Sequence, residues 1–459
     1  IIVTETAGPV SIVDAVVQGG GGALSDRLSS DEEAGIVVLG AATVRRTTIV
    51  DSAAYGIRFA RGGTPVEFAD NVFLETALAP IRIDANEVDR LGDAHTFDEG
   101  AVVEVDATVV DHEATWVDLG APYRLLSVGP DPGLVIGSPV DERAVLTVRA
   151  GVDLQLEPGS GIIVGFDGPA GFVARGTAVE PIRITTAVRD PLPEPWTSLR
   201  YGPQTLSGAA ELTHVLIEHG GSGEFAAVDV TPNDATARFD HVTVRESATT
   251  GIGIEGFGAN AVITNCRLEA NAGDGIYSGL LAYTTIDRCD FVDNGDEGIS
   301  VAYDGDPTPI TNCTFSGNRD GALRVAPWHV GIIGFGHTAA DDSQAIVFDD
   351  LYPTLYDYTV SFDNVGLPYE VRTSITVDGD YGVATLFLKE GAQLRFAPTA
   401  SLTITSGTAI ADIFGTPETP VVLAGIDGQA WPGLLADPAD LSIAPGALVI
   451  QHASGGYVP

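Results

Sequence analysis

The chain has 459 residues, of which 44% are hydrophobic and 19% are charged, a composition too apolar for an intrinsically disordered protein. Its 63 acidic and 23 basic residues give a formal net charge of −40, which disfavours binding to nucleic acids, anionic membranes and polyanionic glycans. The sequence has no apolar run of about 18 residues or more, so we expect no membrane insertion. We predict cations, neutral glycans or basic proteins as partners.

The first half of the chain predicts short strands between turns, in keeping with its 55 glycines. The segment TVRRTTIVDSAAYGIRF, which ends at Phe59, carries the pair Gly56-Ile57. A polar connector follows between residues 84 and 116. Strands of the form x-L-x-V-x-x-G-x-x-L-x-L-x-P then run from Leu146 to Pro158.

The clearest signal lies between residues 239 and 325, where four segments align with almost no gaps. They begin at Phe239, Ile263, Ile286 and Ile310. Two sets of residues keep the same spacing of 23 and 24 positions: Cys266, Cys289 and Cys313; Asn271, Asn294 and Asn318. A third set, Gly275, Gly298 and Gly321, keeps a spacing of 23 positions.

A period near 24 residues with two or three short strands is what one coil of a parallel β-helix requires, because each strand stacks on its equivalent about 4.8 Å away. The pattern x-I-x-x-C/V-x-Φ-x-x-N-x-x-x-G-I resembles the pectate-lyase-like right-handed β-helix superfamily, in particular the parallel β-helix repeats of many bacterial secreted proteins. The resemblance implies an all-β fold, a right-handed parallel β-helix (solenoid), and a secreted or cell-surface location. It does not identify a reaction.

The two halves of the chain also match each other in order. LGAPYRL from Leu119 matches VGLPYEV from Val365, and Trp196 corresponds to Trp431. We therefore predict two tandem β-helix units, residues 1–215, shortened at the start, and residues 216–459, which form one continuous solenoid or two stacked segments. Because the chain starts and stops at the same phase of the repeat, we expect it to be part of a longer array.

The regular residues predict structural ladders. Stacked cysteines would have Cα atoms about 4.8 Å apart, within disulfide range, but their Cβ atoms point in parallel and do not converge. We predict a column of buried thiols at Cys266, Cys289 and Cys313, with a disulfide or a metal site as alternatives. The asparagines precede glycine at a coil corner, where an amide side chain can bond main-chain groups, so Asn271, Asn294 and Asn318 predict an asparagine ladder.

Acidic turns are the candidates for metal binding. Oxygen-rich loops hold Ca²⁺ with six to eight ligands, and Asp304-Gly305-Asp306 is one such turn. Asp304 and Asp306 are therefore a candidate Ca²⁺ site, although turn formation also explains an Asp-Gly pair. No other cofactor is predicted.

No catalytic constellation stands out in the sequence. Lyases of the superfamily use Arg or Lys near carboxylate-bound calcium, and its galacturonases use three aspartates with a histidine. His337 near Asp341 and Asp342 is the stretch most similar to the latter, but it lacks the order and spacing of the family motif. The recurrence of Trp196 and Trp431 in both units favours packing over stacking on sugar rings.

These observations favour a non-enzymatic, extracellular structural or adhesive segment of a larger surface or fibre-forming protein. Its expected partners are neighbouring repeats of the same parent protein, with a glycan or a cell-surface receptor as a further partner. The alternative is a carbohydrate-active β-helix, a polysaccharide lyase or glycoside hydrolase, or a glycan-binding module. We expect any function to lie in the irregular connectors near residues 84–116 and 326–358.

Overall fold

The computed structural model describes residues 1–6, 8–21, 33–60, 62–127, 133–138, 143–188, 192–231, 235–256, 258–279, 282–302, 309–341, 343–348, 354–356, 358–379, 382–436, 441–443 and 446–454. The chain forms two compact units, Ile1–Thr249 and Thr250–Pro459, called here the first and the second unit. The boundary predicted between residues 215 and 216 comes from the internal sequence repeat, whereas these two units are defined by compactness. The predicted boundary therefore stays a prediction.

The first unit is built from short strands joined by turns, with a 3₁₀ helix at Ala85–Arg90. Its strands are Ile2–Val3, Val10–Val13, Val16–Gln18, Ala34–Val38, Ala41–Arg45, Thr48–Ser52, Tyr55–Phe59, Thr64–Ala69, Val72–Thr76, Ile81–Asp84, Thr96–Phe97, Val103–Ala107, Val109–Val110, Glu113–Trp116, Tyr123–Ser127, Gly133–Ile136, Ala144–Arg149, Asp153–Leu156, Gly161–Val164, Ala170–Arg175, Ile182–Thr186, Leu199–Tyr201, Thr205–Glu218, Val228–Val230 and Thr236–Arg245.

The second unit has the same construction, with 3₁₀ helices at Pro327–Ile332 and Ile426–Gly428. Its strands are Ile252–Ile254, Asn260–Thr264, Arg267–Glu269, Ile276–Ser278, Tyr283–Asp287, Asp290–Val292, Glu297–Val301, Ile310–Thr311, Thr314–Ser316, Gly321–Arg324, Thr338–Ala339, Ile346–Phe348, Thr354–Tyr356, Thr359–Phe362, Tyr369–Val371, Ile375–Gly379, Thr385–Leu388, Gln393–Phe396, Leu402–Gly407, Ile410–Ile413, Val421–Gly425, Leu434–Ala436, Leu441–Ile443 and Leu448–Ile450.

The core of each unit is a set of columns of largely buried side chains, because strands pair in parallel with their equivalents in neighbouring coils. One column of the first unit joins Ile36, Ile57, Ile81, Val103, Tyr123, Leu154, Ile184, Ile217 and Val244. A column of the second unit joins Ile276, Ile299, Leu323, Ile346, Tyr369, Leu394, Leu423 and Ile450. The predicted all-β parallel β-helix is therefore confirmed.

Two corners of many coils are turned by residues in the left-handed backbone region, five positions apart, with a short strand between them. The next residue then enters the coil interior, as Cys266 does after Asn265 and Asn271 does after Ala270. Such corners favour Gly, Asn and Asp. The pairs are Asp14 and Gly19, Arg46 and Asp51, Asp70 and Glu75, His214 and His219, His241 and Glu246, Asn265 and Ala270, Arg288 and Asp293, and Asn312 and Gly317.

A buried tyrosine makes the same turn contact in each unit. The Tyr123 hydroxyl donates to the Val117 carbonyl at 2.7 Å, and the Tyr369 hydroxyl donates to the Asp363 carbonyl at 2.7 Å. Burial raises the pKa of both phenols, so both remain neutral donors.

A buried tryptophan is likewise repeated. The Trp196 indole donates to the Glu218 carbonyl at 2.9 Å, and the Trp431 indole donates to the Gln451 carbonyl at 2.8 Å. Both tryptophans are fully buried. Their shared role is packing, and neither presents a face to a sugar ring.

Within the described residues, no helix is both long and apolar enough to cross a membrane.

Candidate functional site

The connectors between coils contain the first candidate site, since each unit interrupts its repeat with a 3₁₀ helix at the same place. In the first unit Asp84 caps this helix by accepting from the Asn86 N–H at 3.0 Å. In the second unit the helix starts at Pro327, whose fixed φ suits a first helical position. Val88 and Val330 are buried at equivalent points and anchor the two helices.

In the first unit the connector forms a polar cluster around His112. Nδ1 of His112 lies 3.0 Å from Oδ1 of Asn86, and Nε2 lies 3.3 Å from Oδ2 of Asp89. The backbone N–H of Asp111 also donates to Oδ1 of Asn86 at 3.1 Å. His112 is therefore tied to both ends of the helix, and its ring nitrogens are occupied.

In the second unit the equivalent positions are aromatic. Trp328 occupies the place of Asn86, and Tyr358 that of His112. The two rings stack with centroids 6.3 Å apart and planes 22° from parallel. Tyr358 is 47% exposed, so the cluster reaches the surface.

A second candidate lies on one side of the first unit, where buried charges are concentrated. Nη2 of Arg58 donates to Oδ2 of Asp106 at 2.6 Å, and Nε of Arg82 donates to Oδ1 of Asp106 at 3.0 Å. Nη1 of Arg82 also donates to the Tyr55 hydroxyl at 2.8 Å, and this hydroxyl donates to Glu104 at 3.0 Å. Burial raises the pKa of Tyr55, which keeps the phenol protonated.

This charged network borders a groove of about 550 Å³, lined in part by Glu104, Arg124, Asp98 and Glu99. Three of its four charged lining residues are carboxylates.

The corresponding side of the second unit carries a pair of buried carboxyl groups. The Glu297 N–H donates to Oδ1 of Asp274 at 3.1 Å, and Nε of Arg324 lies 3.5 Å from Glu297. Burial, together with the neighbouring charge of Glu297, raises the pKa of Asp274 to about 8. Asp274 therefore holds its proton at neutral pH and shares it within the pair.

The predicted structural residues lie inside the second unit. Cys266, Cys289 and Cys313 are buried free thiols, one coil apart. Sγ of Cys289 contacts the carbonyls of Asp287 at 3.4 Å and Ile263 at 3.6 Å. Sγ of Cys266 and Sγ of Cys313 likewise contact the carbonyls two residues before them, of Thr264 at 3.2 Å and of Thr311 at 3.1 Å.

The three predicted asparagines are joined side chain to side chain. Nδ2 of Asn271 donates to Oδ1 of Asn294 at 2.9 Å, and Nδ2 of Asn294 donates to Oδ1 of Asn318 at 2.8 Å. The column continues into Gln344, whose Oε1 accepts from Asn318 at 2.8 Å and whose Nε2 donates to the Asn318 carbonyl at 3.0 Å. Each amide is buried and paired.

One comparison with known proteins bears on the family. A family described as a right handed beta helix region matches residues 208–339. This protein is a parallel β-helix repeat protein. The match assigns the right-handed sense of the coils, as the sequence resemblance predicted. The chain matches none of the curated proteins.

The remaining candidate residues of this β-helix repeat protein make hydrogen bonds that hold its backbone frame, the stacked coils and their turns, together. His337 is 3% exposed, and its Nδ1 accepts the Cys313 N–H at 3.3 Å. Burial lowers the pKa of His337, so the ring stays neutral. Asp341 lies in a turn, where it accepts from the Ser343 N–H at 2.9 Å. His337 and Asp341 thus accept from different backbone groups, and Asp342 lies outside the described residues.

The predicted calcium ligands Asp304 and Asp306 lie outside the described residues, and Ca²⁺ binding there stays a prediction. Across the part of the chain that the structure describes, His, Cys, Asp and Glu side chains form no group of three or more that could hold a metal ion.

Sequence reasoning missed several structural residues of this β-helix repeat protein. His95 matches His337, because its Nδ1 accepts the Asn71 N–H at 3.3 Å one coil before. The sequence contained a signal for this equivalence, because His95 and His337 follow the 3₁₀ helices of their units at the same distance. Gln344 could not be found in this way, because its coil lacks the Asn and Gly markers.

An ion triplet around the buried carboxylate of Glu218 was also missed. Glu218 is 2% exposed and accepts from Nε of Arg183 at 2.6 Å and from Nε of Arg245 at 2.8 Å. Burial opposes the charge of Glu218, but the hydrogen bonds from the two arginines outweigh it and hold the pKa of Glu218 below its ordinary value. These residues come from three coils whose lengths differ, so the sequence does not align them.

Proposed function

We propose that this chain is a non-enzymatic, extracellular segment with a structural or adhesive role in a larger surface or fibre-forming protein. One observation carries the proposal: the histidines that recur in both units, His95 with His337 and His219 with His452, make backbone contacts that hold the coils together. A catalytic site would instead need titratable groups that are free to meet a substrate.

The histidines illustrate this use. His95 and His337 are neutral acceptors inside their coils. His219 and His452 both turn a corner, and their carbonyls accept the backbone N–H of the repeated tryptophans at 3.2 and 3.1 Å. Equivalent placement in two units follows from the fold and requires no chemistry.

The extracellular location rests on the resemblance to secreted bacterial β-helix repeats. The net charge of −40 supports a role among neutral or basic partners, because it repels polyanions at physiological salt. Neighbouring repeats of the same parent protein are the simplest partners, since parallel coils stack on further parallel coils.

The test is a screen of the purified chain against neutral and acidic polysaccharides, with and without Ca²⁺. We expect no release of reducing ends and no unsaturated products. Turnover of any polysaccharide that is lost in Glu104→Gln or Asp274→Asn would overturn the proposal and select the carbohydrate-active alternative. Glu211→Gln, which changes a half-buried carboxylate in a different column of strands, is the control variant.

A glycan-binding module is the second candidate, favoured by the stacked pair Trp328 and Tyr358. Aromatic faces at a surface can stack on the apolar face of a sugar ring, and the stacked pair extends that platform. The first unit has Asn86 and His112 at these positions, so the fold itself does not require aromatic residues there. The negative field of the chain favours a neutral glycan.

The two units supply a matched design for testing this candidate. Trp328→Asn and Tyr358→His place the residues of the first unit into the second, at positions where the fold tolerates them. Affinity electrophoresis in gels of neutral polysaccharide should show retardation of the wild type and its loss in both variants. His112→Ala in the first unit should leave the retardation unchanged. Equal mobility of all four proteins in every gel would eliminate glycan binding at this surface.

A further inference from the structure

Two histidines of the first unit form a stacked pair that the frame does not use. The imidazole rings of His214 and His241 lie one coil apart, with centroids separated by 4.6 Å and planes 34° from parallel. Both residues turn a coil corner in the left-handed backbone region, with φ of 49° and 54°. The side chain of His241 is 48% exposed, so the pair is open to solvent.

The fold does not require histidine at this corner. In the second unit the same kind of corner is turned by Asn265, Arg288 and Asn312. Asparagine is the better residue for a left-handed corner, because its short side chain tolerates the conformation. The backbone conformation therefore does not explain why two stacked histidines occupy this corner.

A neighbouring carboxylate fixes the protonation of one ring. Nδ1 of His241 lies 3.0 Å from Oδ2 of Asp240. An ionised carboxylate only accepts hydrogen bonds, so Nδ1 carries the proton and Nε2 presents its lone pair. This carboxylate–imidazole arrangement is the one that orients histidine ligands toward metal ions. The ring of His214 makes no hydrogen bond with any described residue, which leaves both its nitrogens available.

We propose that His214 and His241 bind one divalent transition-metal ion of the imidazole-preferring class, such as Zn²⁺ or Cu²⁺. At Zn–N distances of about 2.0–2.1 Å, two nitrogens on a tetrahedral ion lie about 3.3 Å apart, which rings stacked at this separation reach by a small rotation. Two imidazoles leave the other positions of the ion to water or to a partner's side chain. The negative field of the chain raises the local concentration of any cation.

Titration calorimetry with ZnCl₂ tests the site on the intact chain. We expect one Zn²⁺ per chain above the weak background of surface carboxylates. His214→Asn and His241→Asn, which place the corner residue of the second unit, should each weaken this binding by about tenfold or more, and the double variant should abolish it. His452→Asn is the control, because His452 is also a histidine at a left-handed corner, the one equivalent to His219, and has no stacked histidine among the described residues.

Two further readouts separate ligation from loss of fold and from adventitious binding. Circular dichroism should be unchanged in all variants. The electron paramagnetic resonance spectrum of bound Cu²⁺ should show imidazole nitrogen hyperfine structure that disappears in the double variant. Asp240→Asn should weaken Zn²⁺ binding by about tenfold while keeping both imidazoles. Zn²⁺ affinity that is the same in the wild type and the double variant would overturn the proposal.

Discussion

The asparagine column of the second unit offers a sharp test of how the frame is stabilised. Asn294 lies at its centre and is 1% exposed. Its Oδ1 accepts from Nδ2 of Asn271 at 2.9 Å and from the Asn271 N–H at 3.4 Å. Its Nδ2 donates to Asn318 at 2.8 Å and to the Leu268 carbonyl at 3.0 Å. Asn294→Ala removes all four hydrogen bonds at once.

The cost follows from the groups left behind. Two buried N–H donors of Asn271 lose Oδ1 of Asn294 as an acceptor, whereas Oδ1 of Asn318 keeps the Asn294 N–H at 3.2 Å as a donor. A buried donor without a partner costs about 1–3 kcal/mol, so we expect Asn294→Ala to destabilise its coil by about 2–4 kcal/mol. Hydrogen exchange measured by mass spectrometry should then show a loss of protection of about 30- to 900-fold in peptides spanning residues 268–298.

Asn260→Ala is the control for this prediction. The side chain of Asn260 makes a single long hydrogen bond of 3.5 Å to the Gly258 carbonyl and is half-buried. We expect its removal to change stability by less than about 0.5 kcal/mol. If both variants exchanged at the wild-type rate around residues 268–298, the column would not be a source of stability and the reasoning would be wrong.

Three further predictions concern other parts of the frame. Glu218→Gln should destabilise the first unit by about 2–4 kcal/mol in urea unfolding, because two arginines lose a buried partner, whereas Glu211→Gln, which breaks an exposed pair, should cost less than about 1 kcal/mol. The raised pKa of Asp274 means that its folded form binds a proton that the unfolded form has lost, so stability should fall as pH rises from about 4 to about 8, and Asp274→Asn should flatten this dependence in thermal melts. The three buried thiols should not react with an aromatic disulfide reagent in the native state and should react stoichiometrically in guanidinium chloride, whereas rapid native labelling would contradict their burial.

The coil register of the second unit could be predicted where coils have nearly constant length. The spacing of Cys266, Cys289 and Cys313 pairs Ile263 with Ile286 and Ile286 with Ile310, as the strands do. The reason is that a parallel ladder at constant period places identical sequence positions in one column.

The columns of the first unit could not be predicted from a constant spacing in the sequence. Its coils vary from 20 residues, between Val103 and Tyr123, to 33 residues, between Ile184 and Ile217. Because loops of different length are inserted at the corners, residues that stack are no longer a fixed distance apart. The charged network around Asp106 depends on these insertions, and only the three-dimensional register reveals it.

Comparison of equivalent residues in the two units shows which residues the fold requires and which positions it leaves free to vary. The two units share the phenol, indole and histidine contacts that close their coils, so those residues follow from the frame. At the connector the same backbone supports a hydrogen-bonded cluster around His112 in one unit and the stacked pair of Trp328 and Tyr358 in the other. Because one scaffold accepts both chemistries, packing cannot be the reason for either. We therefore propose the connector surfaces as the place where the two units differ in function, and exchange of these residues between the units tests this proposal.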